Sequence, residues 1–150
     1  MWCINIDGAS RGNPGISGAG IVIRKNDKIV FKGGYSIGQL TNNQAEYWAL
    51  VIALAIFYND YYINDIKPLL IKSDSQLLVN QINKIFSVKN QDLIKLFNLA
   101  IGFLAKISDY KVVHVYRENN TTADKLANEG IDNKIKVPDY VKRYILKPWS

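Results

Sequence analysis

The sequence contains little cysteine, little histidine and no long uninterrupted apolar segment. Its single cysteine, Cys3, cannot form an intramolecular disulfide, so we expect a reducing, cytoplasmic setting. One histidine and one cysteine do not provide the clustered nitrogen and sulfur ligands typical of zinc sites. The longest apolar stretch, residues 47–63, is broken by Asn59 and Asp60, so we predict no membrane span. The first residues lack the basic and apolar pattern of a leader, so we predict no secretory signal.

Positive charge is in excess along the chain. Lysine and arginine number 19 against 13 aspartates and glutamates, a net charge of +6. This excess is compatible with a polyanionic partner, although many basic proteins bind none. With 150 residues, 48% of them hydrophobic, the chain is long enough for one domain with a buried core. No repeat or low-complexity linker divides it, so we predict a single unit.

Apolar periodicity predicts an α/β protein built on a mixed sheet. Strands are predicted at residues 2–7, 18–25, 28–36, 68–72 and 110–116, and helices at 41–57, 75–86, 92–105 and 121–131, with a short helix after residue 138. Asn26 and Asp27 are predicted to close a hairpin, and Thr41 with Gln44 has the spacing of a capping box. Because strands separated by helices run parallel through right-handed crossovers, we expect a five-stranded mixed sheet flanked by helices on both faces.

Four acidic residues stand at strand ends or near helix starts: Asp7, Glu46, Asp74 and Asp124. Helix capping explains Asp74, and it also explains Asp124, which lies three residues after a threonine. The helix dipole explains Glu46. However, the helix that carries Glu46 is apolar nearly all round, so a buried Glu46 would need a partner, a metal ion or an opening to solvent. Taken singly, each acid keeps both a structural and a functional interpretation.

The predicted architecture brings these acids together. Asp7 and Asp74 follow strands whose carboxyl ends share one edge, where ligands bind in open α/β sheets. The helices of Glu46 and Asp124 can start at the same edge. Clustered carboxylates repel one another unless divalent cations neutralise them, and oxygen ligands suit Mg²⁺ or Mn²⁺. Two such ions about 4 Å apart activate a water and stabilise the leaving oxygen in phosphodiester hydrolysis.

Four sequence blocks resemble those of type 1 ribonuclease H. They are IDGASRGNPG, TNNQAEYWAL, IKSDSQLLVNQI and ENNTTADKLAN, and the resemblance runs from Trp2 to Ile131. It implies the ribonuclease H-like fold and an endoribonuclease that hydrolyses the RNA strand of RNA/DNA hybrids with two Mg²⁺ ions. It also implies that the catalytic and metal-binding residues are Asp7, Glu46, Asp74 and Asp124. Attack by an activated water predicts 3′-hydroxyl and 5′-phosphate ends.

The resemblance further implies a set of substrate-binding residues. Asn13 and Thr41 would hold a phosphate of the DNA strand. Asn42, Asn43 and Gln44 would reach the minor groove, where 2′-hydroxyls and base edges are exposed. Turn formation is the alternative role for Asn13, and helix capping is the alternative for Thr41 and Gln44.

The chain departs from the family pattern at two places. Many members carry a histidine between the last strand and the last helix, where this chain has Arg117 and Glu118. Its only histidine, His114, lies inside the strand, which favours a packing role. Arg117 is interpreted either as a phosphate contact or as a solvated strand-end arginine. The basic insertion that some members have after the second helix is missing, which leaves Lys89 to contact phosphate there.

Residues 1–131 are expected to form the catalytic domain, and residues 132–150 a basic tail packed on it. Substrate binding is the alternative for the tail, and we expect a monomer. Two other functions stay open: a non-catalytic module that binds hybrid or RNA, and a metal nuclease of the same fold for double-stranded RNA or DNA junctions. The four carboxylates argue against the first, because a pure binder needs no clustered negative charge beside a polyanion.

Overall fold

The computed structural model describes residues 1–146, without the side chains of Tyr144 and Leu146. Its strands are β1 (Trp2–Gly12), β2 (Gly15–Lys25), β3 (Lys28–Leu40), β4 (Leu69–Ser73) and β5 (Tyr110–His114). Its helices are α1 (Asn42–Asp60), α2 (Gln76–Ile82), α3 (Gln91–Leu104), α4 (Thr121–Asp132) and α5 (Asp139–Leu146). Two short 3-10 helices, Tyr62–Asn64 and Arg117–Asn119, lie in the connections.

The strands form one mixed sheet in the order β3-β2-β1-β4-β5. β1, β2 and β3 are antiparallel neighbours, and Asn26 and Asp27 close the second hairpin with φ angles of 49° and 69°. Asn and Asp tolerate this left-handed region, and the hairpin turn requires it. β4 is parallel to β1, and β5 to β4, since helical connections return the chain to the same edge. The predicted hairpin and five-stranded mixed sheet are confirmed.

β1 is longer than the sequence predicts. The prediction ends the strand near Asp7, whereas pairing with β2 continues to Gly12, which lies opposite Gly15. The parallel pairing with β4, in contrast, ends where Ile6 meets Ser73. Asp7 is therefore the first residue of β1 beyond its parallel neighbour, at the edge of the sheet.

α2 is shorter than the sequence predicts. It ends at Ile82, whereas apolar spacing suggested a helix up to residue 86. Lys84 adopts a φ angle of 63°, which a right-handed helix cannot accommodate. The chain then reaches α3 through residues 83–90 without a further helix or strand.

Helices cover both faces of the sheet, as predicted. A Cβ added at Gly8 of β1 would lie 2.3 Å from the backbone of Ala45 in α1. A Cβ at Gly20, the partner of Asp7 in β2, would lie 1.9 Å from the carbonyl oxygen of Ala123 in α4. Because successive strand residues point to opposite faces, α1 and α4 lie on opposite sides of the sheet.

α1 forms the centre of the hydrophobic core. Residues 45–57 are buried apart from the partly buried Trp48, and the helix packs against β1, β2, α2, α3 and α5. An all-round apolar helix has to be enclosed on every side, which explains why so many elements surround it. Glu46 is the only carboxylate in this buried stretch.

α5 covers one side of α1. Val141 and Ile145 are buried, and the Tyr140 hydroxyl donates to Asp60 Oδ2 over 2.8 Å at the end of α1. Residues 147–150, which include Lys147 of the predicted basic tail, lie outside the described residues. Within residues 1–146, no helix combines the length and the apolar character needed to cross a membrane.

Candidate active site

Three of the predicted acids meet at the sheet edge. Asp7, Glu46 and Asp74 each place a carboxylate oxygen within 4.8 Å of the other two. They come from β1, α1 and the residue that follows β4. Asp7 and Glu46 are 5% and 8% exposed and Asp74 is half-buried, so Asp74 is the most solvent-accessible acid of the three.

The approach of α1 to β1 creates this cluster. Gly8 has no side chain, so the backbone of β1 lies directly against Ala45 and Glu46. The Gly8 amide donates a hydrogen bond to Glu46 Oε1, which fixes the carboxylate beside Asp7. Any larger residue at position 8 would separate the two elements.

Asp124 joins the site from the opposite face of the sheet. It lies in the first turn of α4, and its carboxylate is close enough to that of Asp7 to raise the pKa of Asp7. Asp124 does not belong to the group of three whose oxygens are mutually within 4.8 Å. The structure thus arranges three acids tightly and the fourth beside Asp7.

The structural alternatives for three of these acids do not hold. Ser75, rather than Asp74, caps α2 by accepting from the Leu78 amide over 3.2 Å. α4 begins at the threonine that was predicted to cap it, and its N-terminus has no side-chain capping hydrogen bond. Glu46 lies beyond the first turn of α1, where the effect of the helix dipole has declined.

Electrostatics disfavour a fully ionised cluster. Burial and the negative charges of Glu46 and Asp74 raise the pKa of Asp7, and the contact with Asp124 raises it further. Burial and repulsion by Asp74 likewise raise the pKa of Glu46, and the Gly8 amide offsets part of this effect. The ion pairs Arg11–Asp132, Lys25–Asp65 and Lys125–Glu129 lie elsewhere. Among residues 1–146, none of these ion pairs involves a site acid, and a largely buried cluster of oxygen ligands fits a hard divalent cation.

The predicted substrate-binding residues of the first loop and α1 lie next to Glu46. Asn13 Oδ1 accepts from the Asn42 amide over 3.1 Å, which ties the β1–β2 turn to the start of α1. Thr41 Oγ1 accepts from the Gln44 amide, and Gln44 Oε1 accepts from the Thr41 amide, so the predicted capping box is confirmed. Asn42 and its neighbour Asn43 are exposed.

The remaining predicted residues lie on the surface. Lys89 is exposed in the α2–α3 connection, and Arg117 is exposed in the 3-10 helix before α4. His114 is half-buried at the end of β5, and its ring makes an edge contact with Tyr116. No further site is built around this histidine in the described part of the chain.

Sequence reasoning missed the polar residues that support the site. Asn5 and Asn120 are buried and hydrogen-bonded to each other over 3.0 Å, although 115 positions separate them. Their one signal in the sequence is the polar Asn5 inside an otherwise apolar strand. Its partner could not be found without the fold.

Comparisons with known proteins find a matching family and relatives that cover most of this chain. A family model described as reverse transcriptase-like matches residues 5–130. Ribonuclease HI of Halobacterium salinarum is 41% identical over 128 residues, which cover 85% of this chain and 62% of the relative. Ribonuclease H of Actinobacillus succinogenes is 31% identical over 143 residues, covering 85% of this chain and 87% of the relative. The chain spans only 35% of the similar bifunctional protein of Mycobacterium tuberculosis.

Solved structures are similar over nearly the whole fold. The crystal structure of RNase H1 from Halobacterium salinarum has a TM-score of 0.81 at 38% identity and covers 88% of this chain and 98% of its own. LC11-RNase H1, solved in complex with an RNA/DNA hybrid, has a TM-score of 0.81 at 32% identity and covers 89% of this chain and 98% of its own.

Proposed function

Because the chain belongs to the ribonuclease H family, we propose that it hydrolyses the RNA strand of RNA/DNA hybrids. The observation that carries this proposal is the cluster of Asp7, Glu46 and Asp74, whose oxygens lie within 4.8 Å of one another, with Asp124 beside it. A similar protein was solved in complex with an RNA/DNA hybrid, which supports the same substrate class.

The four acids are proposed to hold two Mg²⁺ ions, with Mn²⁺ as a substitute. Asp7 belongs to the group of three and also contacts Asp124, which supports a role as a ligand shared between the two ions. When bound, such ions neutralise the acids, activate the attacking water and stabilise the leaving oxygen. Water as the nucleophile leaves 3′-hydroxyl and 5′-phosphate ends, whereas a 2′-hydroxyl nucleophile would leave a cyclic phosphate.

The residues at the start of α1 are proposed to orient the hybrid. The Asn13 and Gln44 side chains use their amide oxygens within the protein, and their NH₂ groups are donors for substrate oxygens. Thr41 likewise accepts through Oγ1 and keeps its hydroxyl proton as a donor. Asn13 and Thr41 would bind a DNA-strand phosphate, while Asn42, Asn43 and Gln44 would read 2′-hydroxyls in the minor groove.

Two exposed cations extend this proposed surface. Arg117 precedes α4, and its planar guanidinium matches phosphate oxygens. Lys89 offers a single point charge from the α2–α3 connection. We assign residues 1–131 to the catalytic domain and residues 132–150 to a tail, and the contacts of α5 with α1 support packing of the described part of this tail, up to residue 146. We also propose that the protein is a monomer and acts in the cytoplasm.

One labelled hybrid tests the function. We expect cleavage of the RNA strand within runs of ribonucleotides in Mg²⁺ or Mn²⁺, none in EDTA, and none of an all-DNA duplex. 2′-Deoxy sugars beside the scissile bond should slow cleavage strongly, because small displacements of a reacting phosphate cost large rate factors. The Glu129→Gln variant, which changes an exposed acid of α4, should retain activity. Cleavage in EDTA, undiminished cutting of DNA, or cyclic-phosphate products would overturn the proposal.

A further inference from the structure

A buried relay of side chains holds the start of α4 against β1. Arg24 Nη1 donates to Asn5 Oδ1 over 3.0 Å, and Asn5 Nδ2 donates to Asn120 Oδ1 over 3.0 Å. Asn120 Nδ2 then donates to the carbonyl oxygen of Ile6 over 2.8 Å. Asn5 and Asn120 are 7% and 2% exposed, so the two bonds of Asn120 form away from water, while the bond from Arg24 is partly buried.

The direction of every bond in the relay is determined by its two ends. An arginine side chain has only donors, and a carbonyl oxygen only accepts. Asn5 must therefore turn its oxygen toward Arg24 and its NH₂ toward Asn120, and Asn120 must turn its NH₂ toward Ile6. Flipping either amide would break two hydrogen bonds at buried positions, which makes the arrangement unique and stiff.

The relay replaces the usual cap of α4. Thr41, Ser75 and Asn90 cap α1, α2 and α3 with their own side chains. Asn120 occupies the same position before α4, but its side chain makes no capping bond. A side-chain cap stabilises the start of a helix, so α4 gives up local stability for the link to β1.

Both ends of this link adjoin a site carboxylate. Ile6 immediately precedes Asp7 in β1. On the other side, the Asn120 carbonyl accepts from the Asp124 amide over 3.1 Å, so one helical turn connects the two residues. The bond between Asn120 and Ile6 thus joins the backbone next to Asp7 to the backbone one helical turn before Asp124.

We propose that Asn5 and Asn120 are positioning residues that set the distance between Asp7 and Asp124, and through it the affinity of the site for its second divalent cation. This inference rests on the proposed function. The group of three acids remains tied together by Gly8 and α1, so the first cation does not depend on the relay. Loss of the relay should weaken binding of the second cation and leave binding of the first cation unchanged.

Mn²⁺ binding to the whole chain, measured by calorimetry and by Mn²⁺ electron paramagnetic resonance, tests the proposal. Asn120→Ala should weaken the second Mn²⁺ about tenfold, as is usual for residues that orient metal ligands, and leave the first unchanged. At saturating hybrid, kcat should fall while KM changes little, and higher Mn²⁺ should restore kcat. Arg24→Met removes the outer end of the relay and spares the core. It should weaken binding of the second Mn²⁺ by about threefold.

Asn83→Ala is the matched control. Asn83 Nδ2 also links a helix end to a strand carbonyl, that of Val112, over 3.0 Å, and neither residue is a chain neighbour of a site acid. Asn83→Ala should lower the melting temperature and leave the affinity for both Mn²⁺ ions unchanged. Unaltered Mn²⁺ binding in Asn120→Ala and Arg24→Met, or equal weakening in Asn83→Ala, would overturn the proposal. Since Mn²⁺ binding needs no hybrid, a wild-type protein that binds two ions without cutting hybrids would reject the proposed function alone.

Discussion

Replacing Glu46 by glutamine should abolish activity and yet stabilise the metal-free protein. The change removes one negative charge from a group whose oxygens lie within 4.8 Å of one another. It keeps the shape of the side chain, and the amide oxygen of glutamine can still accept from the Gly8 amide. The variant therefore measures the effect of charge repulsion within the cluster without changing how the side chain at position 46 packs.

The size of this effect follows from the geometry. Two ionised groups 4.8 Å apart repel by about 3 kcal/mol at an effective dielectric constant of about 20. The metal-free protein avoids part of this repulsion by retaining protons, because the pKa values of Asp7 and Glu46 are raised. We therefore expect the metal-free Glu46→Gln variant to exceed the wild type by about 1–2 kcal/mol in the free energy of unfolding. For a chain of this length, that corresponds to roughly 4 °C in melting temperature.

The gain should grow with pH. Above the ordinary carboxyl pKa, the folded protein binds more protons than the unfolded chain, because folding raises the pKa of Glu46. The metal-free wild type therefore loses stability as pH rises through the interval between the unfolded and the folded pKa, by up to about 1.4 kcal/mol per pH unit for each group. Below that interval both states are protonated, and the two proteins should differ little.

Thermal and urea denaturation in EDTA, at several pH values and again in Mg²⁺, measure this prediction. In Mg²⁺ the order should reverse, since cation binding stabilises the wild type and the variant binds cations poorly. Glu129→Gln removes an exposed charge and should change stability by less than about 0.5 kcal/mol at any pH. A metal-free Glu46→Gln protein that is less stable than the wild type above neutral pH would refute the reasoning.

Four further outcomes are expected. Asp7→Asn and Asp74→Asn should each abolish hybrid cleavage with an unchanged circular dichroism spectrum, and near-wild-type rates in Mg²⁺ would contradict the assignment. Gly8→Ala should lower the free energy of unfolding by about 3 kcal/mol, because its Cβ would lie 2.3 Å from the α1 backbone. Gly102→Ala, at an open helical position, should instead gain about 0.5–1 kcal/mol in urea denaturation. Lys89→Ala should reduce the slope of log affinity for hybrid against log salt by about 1, and an unchanged slope would remove Lys89 from the binding surface.

Periodicity and turn chemistry predicted the fold where local signals are strong. The apolar stretch after Glu46 indicated a buried helix, and Asn26 and Asp27 indicated the hairpin turn. The predicted end of β1 was wrong because the residues after Asp7 include glycines, which have little strand preference of their own. Pairing with β2 determines where β1 ends, and that interaction is tertiary. The backbone reversal at Lys84 likewise has no local signal in the sequence.

The acids of the candidate site could be predicted from topology. Asp7 and Asp74 lie directly after the last residues that pair β1 with the parallel β4, and that alone places them at one edge. Their roles in catalysis, and those of the substrate-binding residues, stay predictions. The link between Asn5 and Asn120 could not be predicted, because it depends on how α4 lies across the sheet rather than on any local pattern.

The enclosure of α1 has a consequence for the protein outside its native state. Residues 45–57 form a continuous apolar segment that contains a single charge and is covered only when the sheet, α3 and α5 are in place. After heating, this segment is exposed on every chain at once, and like segments associate as readily as they refold. Thermal unfolding should therefore become irreversible as protein concentration rises, and the recovery of enzyme after heating should be limited by self-association of α1 rather than by the intrinsic folding rate.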